Sequence, residues 1–83
     1  MTLQEITETI FNYIRDTYEL EDDPDYTTDV NLFDYGYLDS LQATEVIVWL
    51  EENYNVEITQ RDIILYSMDT VEEIAQVIYD KVN

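Results

Sequence analysis

The sequence predicts an all-α fold: a small bundle of three long helices plus one short helix, with a long loop between the first and second. Two observations predict it. Apolar residues recur at helical spacing in three segments, and each segment, like a shorter fourth one, opens on a capping residue with an acid or amide three places on. At 83 residues the chain reads as one domain, residues 1–83, near the small end of what folds alone.

The first helix is expected over residues 2–19. Thr2-Leu3-Gln4-Glu5 opens it, and Leu3, Ile6, Ile10, Ile14 and Thr17 form its apolar stripe, flanked by Tyr13 and Tyr18. The second is expected over residues 39–54, opened by Asp39-Ser40-Leu41-Gln42, with Ala43, Val46, Ile47, Leu50 and Tyr54 inward. The short third (residues 59–66) starts at Thr59-Gln60-Arg61-Asp62 and is expected to place Ile63, Ile64, Leu65 and Tyr66 as a lid on one end. The fourth (residues 70–82) opens at Thr70-Val71-Glu72-Glu73 and offers Val71, Ile74, Ala75, Ile78 and Val82. The Thr2 and Thr70 signals fit the capping-box pattern closely, and the other two are looser variants. Each long stripe stays on one side at about 100° per residue, so the three helices need one another.

The connection from Leu20 to Tyr37, roughly 18 residues, is longer than compact domains usually keep without a function or partial folding. Its first half, Glu21-Asp22-Asp23-Pro24-Asp25, is acidic and solvated. Its second half, Val30-Asn31-Leu32-Phe33, is apolar enough to dock on the core. Gly36, the only glycine, marks a turn that calls for positive φ.

Twenty acidic residues against three basic ones (Arg15, Arg61, Lys81) give a net charge of −17. Such a chain repels nucleic acid and anionic membrane surfaces and is drawn to basic protein surfaces. There is no cysteine, so neither a disulfide nor a thiolate metal site supports the core. The acid cluster around Pro24 lacks the glycine and the distant glutamate of a calcium loop. The N-terminal residues have no basic segment or apolar stretch suited to a signal peptide. The longest apolar run, Val46 to Leu50, is far too short to span a bilayer. Location in the cytoplasm is the expectation.

Ser40 is the residue of interest. With Asp39 as N-cap it falls at the first helical position, free of capping duty, where the helix N-terminus favours an anion. With no His and no Cys in the chain, nothing activates Ser40 as a nucleophile. The serine reads as a group that another enzyme modifies. Past it on the same helix, Leu41, Thr44, Glu45, Val48 and Glu52 fall roughly opposite the core stripe. Two apolar residues ringed by acids suggest a docking face. Trp49 sits at the edge of the core stripe, as a shield for the core. The adjacent pairs Glu51-Glu52 and Glu72-Glu73 point apart on exposed helices and make no catalytic dyad.

The stretch Leu32-Phe33-Asp34-Tyr35-Gly36-Tyr37-Leu38-Asp39-Ser40-Leu41 resembles the prosthetic-group attachment region of acyl carrier proteins. The resemblance extends to Glu45, Leu50-Glu51-Glu52-Asn53-Tyr54, Val56-Glu57-Ile58 and Asp69-Thr70-Val71, and to helix order, loop length and acidity. It implies that Ser40 carries a 4′-phosphopantetheine arm, transferred from coenzyme A by a phosphopantetheinyl transferase, with Asp39 as the family's acid beside it. The arm's thiol would hold an acyl or aminoacyl group, which makes the protein a carrier and not an enzyme. Leu41, Glu45, Val48, Glu51 and Glu52 match the family's recognition helix, which meets basic patches on loading enzymes, acyltransferases and synthases.

Departures are Gln42 where many fatty-acid carriers have an acid, Arg61 in a usually acidic region, and Asn55 at a turn often filled by Gly or Asp. The Gly-Tyr-Leu-Asp-Ser form resembles freestanding D-alanyl and secondary-metabolism carriers, in polyketide or nonribosomal peptide pathways, more than the carrier of fatty-acid biosynthesis. A monomer is expected. The competing reading is an unmodified acidic adaptor or nucleic-acid mimic that binds basic proteins.

Overall fold

The computed structural model describes residues 1–83 as four helices and no strands: α1 (Leu3–Thr17), α2 (Ser40–Tyr54), α3 (Gln60–Tyr66) and α4 (Val71–Val82). No helix is long and apolar enough to cross a membrane.

Every helix starts on a complete reciprocal capping box, including the two with the looser sequence pattern. Gln42 and Asp62 take the role that glutamate plays at Glu5 and Glu73, because an amide or a shorter carboxylate still reaches back to the N-cap amide. Each such cap contributes about 1 kcal/mol. Helix ends are also local. Glu19 turns left-handed (φ 58) after α1, and Leu20 N–H closes back on the Arg15 carbonyl at 2.9 Å. Asn55 (φ 54) ends α2 in the same conformation, one that asparagine tolerates better than most residues.

α4 is the centre of the bundle and packs on α1, α2 and α3. It buries Val71, Ile74, Ala75, Val77 and Ile78. Val77 lies outside the expected stripe and is buried because α4 has neighbours on more than one side. α1 contributes Ile6, Ile10 and Ile14, all with no exposed surface, and α2 contributes Val46 and Leu50. Leu3 and Thr17, expected in the α1 stripe, are exposed at the two ends of that helix. The α1–α2 seam is closed by aromatic stacking. Tyr13 lies flat on Trp49 with ring centroids 3.9 Å apart, and the Tyr54 ring meets Trp49 edge-on at 6.2 Å.

The expected lid differs from the structure. α3 has no buried residue, and Ile63, Ile64, Leu65 and Tyr66 are all exposed. Four consecutive helical residues fan around most of the axis, so a two-turn helix cannot aim all of them at one surface. The buried residues are those that flank α3, Ile58 and Met68.

The long connection is tied down at three points. Tyr26 stacks on Phe11 at 4.4 Å, and its hydroxyl donates to the Phe11 carbonyl at 2.8 Å. Thr28 bonds Glu72 through both side chain (2.8 Å) and backbone (3.0 Å). Leu32 is fully buried. Of the expected docking run Val30-Asn31-Leu32-Phe33, Phe33 instead faces outward, because Asn31 Oδ1 accepts the Phe33 and Asp34 amides and turns the chain.

Candidate functional site

The approach to Ser40 is built residue by residue. Leu32 N–H donates to the Asp69 carbonyl at 2.8 Å, which fixes the loop to the start of α4. The Leu32 carbonyl accepts from Tyr37 N–H (2.9 Å) and Leu38 N–H (3.1 Å), closing a tight loop around Gly36. Gly36 has φ 74, the conformation its place in the sequence called for. Leu38 is buried and so anchors the chain one residue before the N-cap. Leu38 and Ala43 line the same small cavity, the arrangement of a hydrophobic staple across a helix start. The apolar residue just ahead of the cap was the sequence signal for this anchor.

Asp39 is the N-cap. Its Oδ1 accepts Gln42 N–H at 2.8 Å, while Gln42 Oε1 accepts Asp39 N–H at 3.0 Å. Ser40 is therefore the first helical residue, exposed at the surface. Its hydroxyl makes no hydrogen bond. The backbone N–H groups of Ser40 and Leu41 are also without partners, as first-turn amides are. A phosphate oxygen attached at Ser40 Oγ would meet unpaired donors at the positive end of a helix dipole, which is the electrostatic fit such a group needs. No histidine or cysteine exists to deprotonate or replace the hydroxyl.

Beyond Ser40, α2 presents Leu41 (70% exposed), Thr44, Glu45, Val48 (45% exposed) and Glu52 to solvent. Thr44 Oγ1 donates to the Ser40 carbonyl at 3.0 Å. Glu51 is set apart from this group. It is half-buried, and its Oε2 accepts Ile58 N–H at 2.9 Å, so it organises the turn into α3. Tyr18, which the sequence suggested only as a flank of the α1 stripe, reaches α2: its hydroxyl lies 3.3 Å from the Gln42 carbonyl and 3.2 Å from Glu45 Oε1. Burial first, then neighbouring Tyr13 and the hydrogen bond to Glu45, push the Tyr18 phenol up to about 12. Nothing in the sequence pattern announces that contact, because it joins the C-cap of one helix to the second turn of another.

Between α2 and α3 lies an apolar cavity of about 60 Å³, walled by Leu38, Val46, Ile47, Leu50, Ile63 and Met68 among others. It opens beside the same helix that carries Ser40.

A comparison with curated proteins and with solved structures returns no match. A family profile described as the phosphopantetheine attachment site matches residues 8–78, from the first turns of α1 to the last turns of α4. That span takes in all the segments assembled above: the tied loop, the Gly36 turn, the capped start of α2 and the central helix. The chain therefore belongs to the phosphopantetheine-attachment family, the acyl-carrier type of domain, whose covalent prosthetic group is 4′-phosphopantetheine.

Proposed function

We propose that Ser40 is the attachment residue and that the protein is an acyl or aminoacyl carrier, presenting its cargo through the exposed face of α2. One observation carries the reading. Ser40 is the exposed, unpartnered hydroxyl at the first position of a capped helix, with two free backbone donors beside it. When bound, the arm supplies a thiol, the chemistry that a cysteine-free chain lacks.

The chain's own residues do the holding. Asp39 and Gln42 fix the helix start, so the Ser40 side chain projects from a rigid frame. Leu41 and Val48 offer apolar contact, Thr44 lies between them, and Glu45 and Glu52 supply charge for basic patches on partners. Glu51 borders this face with one carboxylate oxygen already engaged. Partners in this reading are a phosphopantetheinyl transferase, a loading enzyme, and a downstream acyltransferase or synthase, all in the cytoplasm. The net charge of −17 repels a second copy and favours a monomer.

The test is mass spectrometry after incubation with coenzyme A, magnesium and broad-specificity transferases. The protein should gain one phosphopantetheine, and Ser40→Ala should gain none. Unchanged mass of the wild-type chain with several transferases, or modification of Ser40→Ala, refutes the assignment.

A further inference from the structure

Of the three acidic residues of α2, one is both exposed and held by another helix. Glu52 makes no side-chain hydrogen bond, and Glu51 engages Ile58 N–H in the turn after α2. Glu45 is exposed, and its Oε1 accepts from the Tyr18 hydroxyl at the C-cap of α1, 3.2 Å away. The two ion pairs of the molecule, Arg15–Asp16 and Asp62–Lys81, do not include it. The second oxygen of Glu45 therefore has no partner within the chain.

Glu45 also lies between the two exposed apolar residues of α2. Leu41 comes four residues before it and Val48 three after, so all three share one face. A carboxylate between two apolar side chains suits a cation on an aliphatic stem, the lysine or arginine of a basic partner. A loose glutamate loses side-chain freedom on meeting such a group. That cost falls when the carboxylate is already in place.

Tyr18 is built to place it. Its N–H closes on the Ile14 carbonyl at 3.0 Å, and Glu19 (φ 58) turns the chain directly after it, so its backbone is fixed at the end of α1. Its ring is half-buried against the core. The phenol, near 12, keeps its proton at neutral pH and has one hydrogen to donate. Two acceptors stand in reach, Glu45 Oε1 at 3.2 Å and the Gln42 carbonyl at 3.3 Å. Both distances exceed the usual O–H···O separation of about 2.7–2.8 Å, which fits one proton shared between two oxygens. A partner's cation that draws Glu45 away leaves the hydroxyl its bond to Gln42, so no half-buried donor is stranded.

We propose that Tyr18 is a positioning residue of the docking face: its hydroxyl holds the Glu45 carboxylate between Leu41 and Val48, with one oxygen free for a basic side chain of the transferase. When that side chain binds, the hydroxyl passes to the Gln42 carbonyl. This role rests on the carrier reading and adds a residue of α1 to a surface otherwise made by α2.

Two measurements test it. On the unmodified protein, the Hα–Hβ scalar couplings of Glu45 should report one χ1 rotamer in the wild-type chain and rotamer averaging in Tyr18→Phe, with Glu52 averaged in both. In the transferase reaction with coenzyme A and magnesium, Glu45→Ala should raise KM about threefold and Tyr18→Phe about twofold, each with kcat unchanged. Tyr18→Phe added to Glu45→Ala should raise KM no further. Averaged Glu45 couplings in the wild-type chain overturn the hold. A KM unmoved by Glu45→Ala or by Tyr18→Phe overturns the positioning role. So does a KM that Tyr18→Phe raises equally with and without Glu45, since the tyrosine would then act through the frame of α2. Failure of the carrier reading looks different: no transferase modifies the wild-type chain at all, and the docking role of Tyr18 falls with it.

Discussion

Leu32→Ala tests whether the loop that delivers Ser40 is an integral part of the fold. Leu32 has no exposed surface, and its backbone bonds run to Asp69 at the start of α4 on one side and to Tyr37 and Leu38 within the loop on the other. Truncation removes three carbons from a closed site, and such changes cost about 2–5 kcal/mol including the cavity left behind. A chain of this length is expected to hold about 4–12 kcal/mol in total. A loss of about 3 kcal/mol corresponds to a melting temperature lower by about 12–24 °C for a domain of this size.

Thermal and urea unfolding followed by far-UV circular dichroism measure the loss, and the Trp49 signal offers a second probe at the α1–α2 seam. The backbone bonds of Leu32 survive the substitution, so below the transition Ser40 should still accept the phosphopantetheine mass. A loss under about 1 kcal/mol would mean that the loop is draped on a core formed by the helices alone. Retained stability with abolished modification would mean that Leu32 serves the transferase contact and not the fold.

Three further outcomes follow from the same structure. Gly36→Ala meets no steric clash, since nothing lies within 4 Å of the added carbon, so its cost is the left-handed backbone alone, about 1–2 kcal/mol, read by urea denaturation. Glu45→Lys and Glu52→Lys should each raise the transferase KM about two- to fivefold in a salt-sensitive way; Glu52→Lys should change stability by less than about 0.5 kcal/mol, while Glu45→Lys also loses the Tyr18 hydrogen bond and should cost about 1 kcal/mol, and unchanged kinetics in both would move the docking surface off this face. The phenols of Tyr18, near 12, and Tyr26 are both raised chiefly by burial. Their contribution is fully present below the unfolded phenol pKa of about 10 and is lost as pH climbs through the folded values. Melting temperature should therefore fall between about pH 10 and 12, with tyrosinate absorbance rising in step, and Tyr18→Phe should remove part of that fall.

The parts of this molecule that could be read from the sequence are those governed by neighbours in the chain. Thr2, Asp39, Thr59 and Thr70 announced their helix starts because a cap and its partner lie three residues apart. Gly36 announced its turn because a single backbone angle decides it. Ser40 followed from Asp39 by counting. The misread residues depend on what packs beside them. Leu3 and Thr17 fit the stripe by period yet lie at the exposed ends of α1, and Val77 breaks the period but is buried, because α4 packs on more than one neighbour. Ile64 and Leu65 have core composition and surface positions, a conflict that no local rule resolves. Tyr18's bond to Glu45 and the Asp62–Lys81 tie span helices and carry no signature at any fixed spacing.

That same division explains how α2 serves two surfaces. A helix that is apolar on one side only needs no help to choose its orientation. α2 carries Val46 and Leu50 inward and Leu41 and Val48 outward, so hydrophobic burial alone leaves its rotation weakly specified. Directional contacts supply what burial does not. Tyr13 stacked on Trp49 and the Tyr18 hydroxyl at the Gln42 carbonyl hold the same flank at two heights, since residues 42 and 49 lie two turns apart on one side of the helix. Both come from α1, and both are geometries that a rotated α2 would lose. The face past Ser40 can remain apolar and exposed because aromatic groups, and not the pattern of its own residues, keep it turned outward.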